Sequence, residues 1–258
     1  MIVSILRSMR ICGLCDCHFL DDLPCDICPR CWERLPLYDG PVCQVCQKPL
    51  PLALSLEHSA QPNHVHCSDC CMRMTFLDGC FYIGLYSGYL KDTIFQLKYK
   101  GFTHTGEVLG RILADAMPGE YELSNKTVVV PIPLHPRKLA ERGYNQAQAI
   151  AAGLASALSV PLSADALASV RETADQKYLS AAARMRNVLH AFTVASELVV
   201  SGKDIILVDD VMTTGSTLNE AARTVKLAGA RSAVAAVAAS GLGYPCMCER
   251  WKDTGSRS

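Results

Sequence analysis

The chain has 258 residues, with 25 Lys+Arg against 25 Asp+Glu, so its formal net charge is zero. That balance excludes a protein holding nucleic acid by bulk electrostatics, which needs a surplus of Lys and Arg, though it leaves room for a local basic groove. Half of the chain is apolar, enough for one large domain or one ordinary domain plus a small one, and no uninterrupted apolar run is long enough to cross a bilayer.

The first ten residues make a poor secretory signal. Their apolar run is short, Arg7 and Arg10 follow it, and Cys12 stands where a cleavage site would fall. We therefore read the protein as cytoplasmic, where thiols stay reduced and dense CxxC pairs point to metal rather than disulfides.

Of 14 cysteines, 12 lie between Cys12 and Cys80. This concentration marks residues 1–79 as a small module of their own. Its CxxC pairs are Cys12/Cys15, Cys25/Cys28, Cys28/Cys31, Cys43/Cys46 and Cys67/Cys70. Such a turn aims two thiolates to one side, and two turns complete a tetrahedral four-thiolate zinc site. The reading places Cys12, Cys15, Cys28 and Cys31 on one structural zinc and Cys43, Cys46, Cys67 and Cys70 on a second. Cys17, Cys25, Cys71 and Cys80, with His18, His64 and His66, remain alternative ligands, and an interleaved pairing stays open. Neither familiar ferredoxin spacing is present. Residues 50–66, punctuated by Pro51, Pro62 and Asn63, read as a loop.

From residue 80 the pattern changes. Phe81–Tyr86 reads as a strand, and Leu90, Ile94 and Leu97 share one helical face. Gly106–Met117 repeats helical spacing and stops at Pro118-Gly119. Thr127–Val130 is a short apolar run suited to a strand covered on both faces. A Pro-rich loop from Pro131 to Gly143 and an Ala-rich helix, Asn145–Leu158, follow. Leu167–Val170 reads as a strand and Ala181–Val188 as a short helix. Asp204–Val208 is the clearest buried strand and Thr217–Leu227 the clearest helix, with Gly229 at its C-cap. Val234–Ala238 is a last strand. This alternation predicts an α/β domain with a parallel sheet, spanning 80–242, and ligands at the C-terminal strand ends. The tail 243–258, holding Cys246 and Cys248, has no assignment and reads as a frayed terminus.

Asp209 and Asp210 close the strand that begins at Asp204, and Met212-Thr213-Thr214-Gly215-Ser216-Thr217 leads into the next helix. Small hydroxyl and glycine residues at a helix N-terminus expose backbone N–H groups where the helix dipole adds positive potential, which makes a phosphate site. Carboxylates beside it can accept from vicinal hydroxyls. A phosphate cup with a diol clamp implies a ribose 5-phosphate group.

The stretch Ile205–Thr217 resembles the phosphoribosyl pyrophosphate signature of type I phosphoribosyltransferases. Together with the Cys-rich N-terminus, Leu97-Lys98-Tyr99, Pro131–Arg137, Arg142-Gly143-Tyr144-Asn145-Gln146, Gln176, Leu179, Arg184, Asn187 and Phe192, it resembles the ComF family, which is linked to natural competence and DNA utilisation. The resemblance spans about residues 12–240. It implies a type I phosphoribosyltransferase-like parallel sheet flanked by helices, joined to a Cys-rich zinc module. It implies that Asp209 and Asp210 hold the ribose hydroxyls, through or beside Mg²⁺. Thr213, Thr214, Gly215, Ser216 and Thr217 would hold the 5-phosphate. Arg137, then Lys138 and Arg142, would meet the pyrophosphate, with Asp209, Asp210 and Arg137 the catalytic set. The Arg171–Arg186 region would cover the site.

Three function classes follow. One is a phosphoribosyltransferase with an acceptor the sequence does not name, within nucleoside metabolism or DNA uptake. Another is a non-catalytic sensor of phosphoribosyl pyrophosphate whose zinc module docks a helicase-like or other DNA-processing protein. The last, single-stranded DNA binding by the zinc module, is weakened by charge: Asp+Glu exceed Lys+Arg in residues 1–80.

Overall fold

The computed structural model describes residues 9–20, 27–51, 65–72, 74–170 and 189–246. The expected helix at 181–188, the expected cover at 171–186, and Cys25, His64 and Cys248 lie outside them. Among the described residues no helix is long and apolar enough to cross a membrane.

The N-terminal part holds β1 (Arg10–Ile11), β2 (His18–Phe19), α1 (Pro29–Glu33) and α2 (Ser68–Met72). The rest runs β3 (Gly79–Leu85), α3 (Gly88–Tyr99), α4 (Thr103–Asp115), β4 (Thr127–Pro131), α5 (Pro136–Arg142), α6 (Gln146–Leu158), β5 (Leu167–Ser169), β6 (Phe192–Val194), α7 (Glu197–Val200), β7 (Asp204–Met212), α8 (Ser216–Leu227) and β8 (Ser232–Ser240). Four strands form one parallel sheet in the order β3-β8-β7-β4. The α/β parallel architecture expected from the alternating pattern is the one found.

Strand parity builds two cores. Val129, Ile206, Val208, Val234 and Ala236 face α3, α4 and α6. Val128, Val130, Ile205, Leu207 and Ala235 face α8, together with Leu167, Phe192 and Val200. A strand buried on both faces has no polar alternation, which is why Thr127–Val130 and Ile205–Val208 read as continuous apolar runs.

The first cysteine group does not stand apart. Cys12, Ile27, Cys28, Cys31 and Leu35 are continuous with the α3–α4–α6 core. The second group has its own small core of Cys43, Cys46, Leu50 and Cys67. The chain end docks on it: Ser68 N donates to Tyr244 O at 2.7 Å and Cys246 N to His66 O at 2.8 Å. A disulfide joins Cys71 to Cys246. Up to Cys246, therefore, the tail is paired backbone rather than the frayed terminus the sequence suggests.

The segment 131–143 is likewise more ordered than expected. It contains α5, started by Pro136 at its first turn and stopped by Gly143 at φ 80°. Pro inside the start and Gly just past the end is a helix signature, and the Pro-rich composition masked it.

Helices α4 and α6 cross with their backbones touching. A Cβ on Gly110 would overlap the Ile150 carbonyl, and one on Gly153 the Glu107 carbonyl. Ala exceeds Gly in helix propensity by about 1 kcal/mol, yet Gly153→Ala is expected to destabilise by roughly 1–3 kcal/mol through overpacking. Urea denaturation checks this; a raised midpoint would refute the close crossing.

Candidate functional site

The site forms where β4 and β7 end. β7 runs on past Val208, because β8 pairs with it through Asp209↔Val237, Val211↔Ala239 and Met212↔Ser240. The two aspartates are thus inside the strand, not beyond it. Parity sends them to opposite faces. Asp210 lies on the α3–α6 side and is 4% exposed.

After Met212 the chain turns through Thr213, Thr214 and Gly215 into α8. Gly215 is left-handed at φ 73°, a conformation that costs glycine little and other residues more. Thr214 Oγ1 lies 2.9 Å from Ser216 Oγ and accepts from Ser216 N at 3.4 Å. The N-terminus of α8 thus follows the acidic strand end within one short turn, and a helix N-terminus suits a phosphate.

On the other side, Asn145 ties two elements together. It caps α6 by accepting from Ala147 N at 3.0 Å, and its Nδ2 donates to Ile132 O at 3.0 Å. The loop after β4 is thereby fixed to the helix behind it. Arg137 and Lys138 sit on α5. Arg137 is largely exposed and pairs with Glu141 at 3.2 Å. Arg142 donates to Gln146 Oε1 at 2.6 Å and lies over the Tyr99 ring at 5.7 Å.

Two residues to which the sequence assigns no role belong to this constellation. Lys98, on α3, reaches Asp210 Oδ2 at 2.7 Å. Tyr144 lies in the field of Arg142 and Asp210, and burial pushes its hydroxyl above the usual phenol range. Tyr144 Oη is buried with no hydrogen-bond partner among the described residues. Such an orphan costs about 1–3 kcal/mol, a cost a ligand can recover. Lys98 and Tyr144 stand in the Leu97-Lys98-Tyr99 and Arg142–Gln146 stretches of the sequence, so a cation and a hydroxyl were visible there but their target was not.

Burial, and next the neighbouring Asp210 charge, raise the Asp209 carboxyl to about 7, against the pull of its own bond from Asp210 N and of Lys98. Its folded value is above the ~3.9 of an unfolded aspartate. The stability this group contributes is therefore fully present below about pH 4 and lost as pH rises through about 7. Asp209→Asn is expected to raise the melting temperature at pH 8 and to gain much less at pH 5; an equal gain at both would refute the shift.

The cysteines assemble as two groups, Cys12, Cys15, Cys28 and Cys31, and Cys43, Cys46, Cys67 and Cys70, with all ligand atoms in each within 4.8 Å of one another. Cys15 and Cys28 sulfurs are 3.7 Å apart, as are those of Cys46 and Cys67. A tetrahedron with metal–sulfur bonds of ~2.3 Å has edges of about 3.8 Å, so both groups could hold a metal. Bonds from the Cys46, Cys67 and Cys70 thiols hold Cys43 well below the usual thiol range. Of the alternative ligands, Cys71 is in the disulfide, while Cys80 is a core thiol that burial pushes up to about 12. Beside the second group, Lys48 is 1% exposed and pairs with Asp69 at 2.6 Å.

Comparison with known proteins gives the following likenesses. The family model described as the phosphoribosyl transferase domain matches residues 140–247. Competence protein F of Haemophilus influenzae is 30% identical over 213 residues, covering 78% of this chain and 91% of its own. DNA utilization protein YhgH of Escherichia coli K12 is 30% identical over 210 residues, covering 78% and 92%. Competence protein ComFC of Bacillus subtilis is 26% identical over 242 residues, covering 87% and 92%. Among solved structures, the allosteric regulatory enzyme of purine biosynthesis covers 53% of this chain and 26% of its own at 22% identity, with a TM-score of 0.36.

Proposed function

The chain belongs to the ComF family of the phosphoribosyltransferase superfamily, and from that membership we propose that it binds phosphoribosyl pyrophosphate with Mg²⁺ and transfers the phosphoribosyl group to an acceptor. One observation carries the reading: an acidic pair in β7 stands immediately before a left-handed glycine and a helix N-terminus. In this reading the N–H groups and hydroxyls of Thr213, Thr214, Gly215, Ser216 and Thr217 take the 5-phosphate, and Asp209 and Asp210 accept from the ribose hydroxyls. Arg137 and Lys138 on α5 face the pyrophosphate, whose charge grows as the bond from C1 breaks. The acceptor forms the new bond to C1 and gives up its proton, and pyrophosphate leaves with the electron pair.

The donor set fits Mg²⁺, a hard cation that takes carboxylate oxygens: Asp209 and Asp210 stand side by side near the end of β7. When bound, the ion would neutralise charge on the departing pyrophosphate. The cysteine groups fit structural zinc, since four thiolates leave no open position for chemistry.

A second reading is supported by the relatives' names, which record competence and DNA utilisation and no reaction. In it the same pocket senses phosphoribosyl pyrophosphate while the cysteine module docks a DNA-processing protein. Calorimetric titration with phosphoribosyl pyrophosphate and Mg²⁺, with pyrophosphate assayed in the same sample, separates the two. Binding followed by acceptor-dependent pyrophosphate release is expected for the transferase. Binding without release across candidate acceptors favours the sensor, and no binding refutes both.

A further inference from the structure

We propose that Lys98 is the resident counter-ion of the acidic pair: its ammonium holds Asp210 in the ligand-free protein, yields that carboxylate to an incoming divalent cation, and then faces the anionic oxygens of the ligand. The proposal rests on the phosphoribosyl reading of the site.

The geometry singles out Asp210 rather than Asp209. Residues 206, 208 and 210 of β7 share the face on which α3, α4 and α6 pack. Lys98 is in the last turn of α3, and its side chain is only 23% exposed. It reaches Asp210 at 2.7 Å. Asp209 points to the α8 side, where the phosphate turn begins, and its Oδ1 is engaged by Asp210 N at 2.8 Å.

A purely structural ion pair would be saturated with hydrogen bonds, because burying two charges is unfavourable unless their remaining valences are met. Here Lys98 Nζ meets Asp210 Oδ2 at 2.7 Å, while the buried Tyr144 hydroxyl, in the field of the same carboxylate, has no hydrogen-bond partner among the described residues. A polar group beside the pair is therefore left unsatisfied, which suits the arrival of a further partner at this carboxylate. A divalent cation carries twice the charge of an ammonium and would replace it at the carboxylate. The displaced ammonium, still largely buried, then needs anions, and phosphate oxygens are the strongest available acceptors.

Two consequences differ from those of a scaffold residue. Removing Lys98 should strengthen binding of a bare divalent cation, because competition for Asp210 ends. It should weaken binding of the anionic ligand, because a cation is lost. The test is calorimetric titration of wild type, Lys98→Met and Lys98→Arg with Mn²⁺ alone, then with phosphoribosyl pyrophosphate in Mg²⁺. Lys98→Met is expected to bind Mn²⁺ about tenfold more tightly or better than wild type, since a site occupied by its own cation loses apparent affinity in proportion to that occupancy. Lys98→Arg, which keeps the charge, is expected to resemble wild type. The pyrophosphate ligand is expected to bind Lys98→Met about tenfold more weakly or worse, as removal of a phosphate-binding cation requires.

Equal or weaker Mn²⁺ binding by Lys98→Met overturns the proposal. Should that variant not fold, Lys98→Gln carries the same comparison, and equal or weaker Mn²⁺ binding by it overturns the proposal in the same way. Failure of phosphoribosyl pyrophosphate to bind wild type refutes the function proposed above, while the Mn²⁺ comparison still decides the role of Lys98.

Discussion

Stripping metal from the cysteine groups is expected to unfold residues 41–51 and 65–72 and to lower the melting temperature of the whole protein. The second group has almost no core besides its thiols: Cys43, Cys46, Cys67 and one buried leucine, Leu50. Burying a leucine is worth about 1.5–3 kcal/mol, whereas ordering each backbone residue costs roughly 1–2 kcal/mol. That segment cannot hold its shape on apolar burial. A structural zinc contributes on the order of 10 kcal/mol and would close the deficit. The docked chain end, paired with this group through Ser68, His66 and the Cys71–Cys246 bridge, should loosen with it.

The first group behaves differently, because Cys12, Cys28 and Cys31 belong to the α3–α4–α6 core. Its collapse would open that shared core, so chelation reaches the α/β sheet as well. Elemental analysis of protein purified without chelator should give two zinc ions per chain, and Cys46→Ser one. Limited proteolysis should then cut Cys46→Ser within 41–51 or 65–72 first. Metal-free protein that melts as the native protein does would refute this account.

Asp209→Asn combined with Asp210→Asn is expected to abolish stabilisation by phosphoribosyl pyrophosphate and Mg²⁺. A ligand at a hundred times its dissociation constant stabilises by about 2.7 kcal/mol, which for a domain of this size raises the melting temperature by about 5–10 °C. The double variant should lose that shift and keep its fold, because amides can retain the bond from Asp210 N to Asp209 Oδ1 seen in the native protein. The single variants should divide. Asp209→Asn relieves like-charge repulsion, but Asp210→Asn strands the buried end of Lys98 and should melt lower without ligand. A double variant with the full wild-type shift would show that the ligand, if bound, is held elsewhere.

Much of this protein is legible in its sequence because the relevant physics is local. CxxC spacing dictates that two thiols share a turn, and both cysteine groups assemble from the pairs that spacing suggests. Continuous apolar runs at 127–130 and 205–208 can only be strands buried on both faces. A Thr-Thr-Gly-Ser-Thr turn into an amphipathic helix exposes N–H groups whatever surrounds it.

What the sequence could not decide depends on which elements meet. Helix α5 was hidden because its capping signals lie inside a Pro-rich stretch, and the tether from Asn145, the cap of α6, needs Ile132 beside it. The docking of Cys246 on Cys71, 175 residues away in sequence, follows no local rule. Above all, the partner of the acidic pair was undecided. Strand parity determines that Asp209 and Asp210 face opposite ways, but only the packing of α3 on one face of the sheet brings Lys98 to Asp210 and leaves Asp209 on the α8 side. Local sequence determines backbone conformation and the ligands within one turn; the pairing of charges from separate elements is set by how the sheet and helices stack.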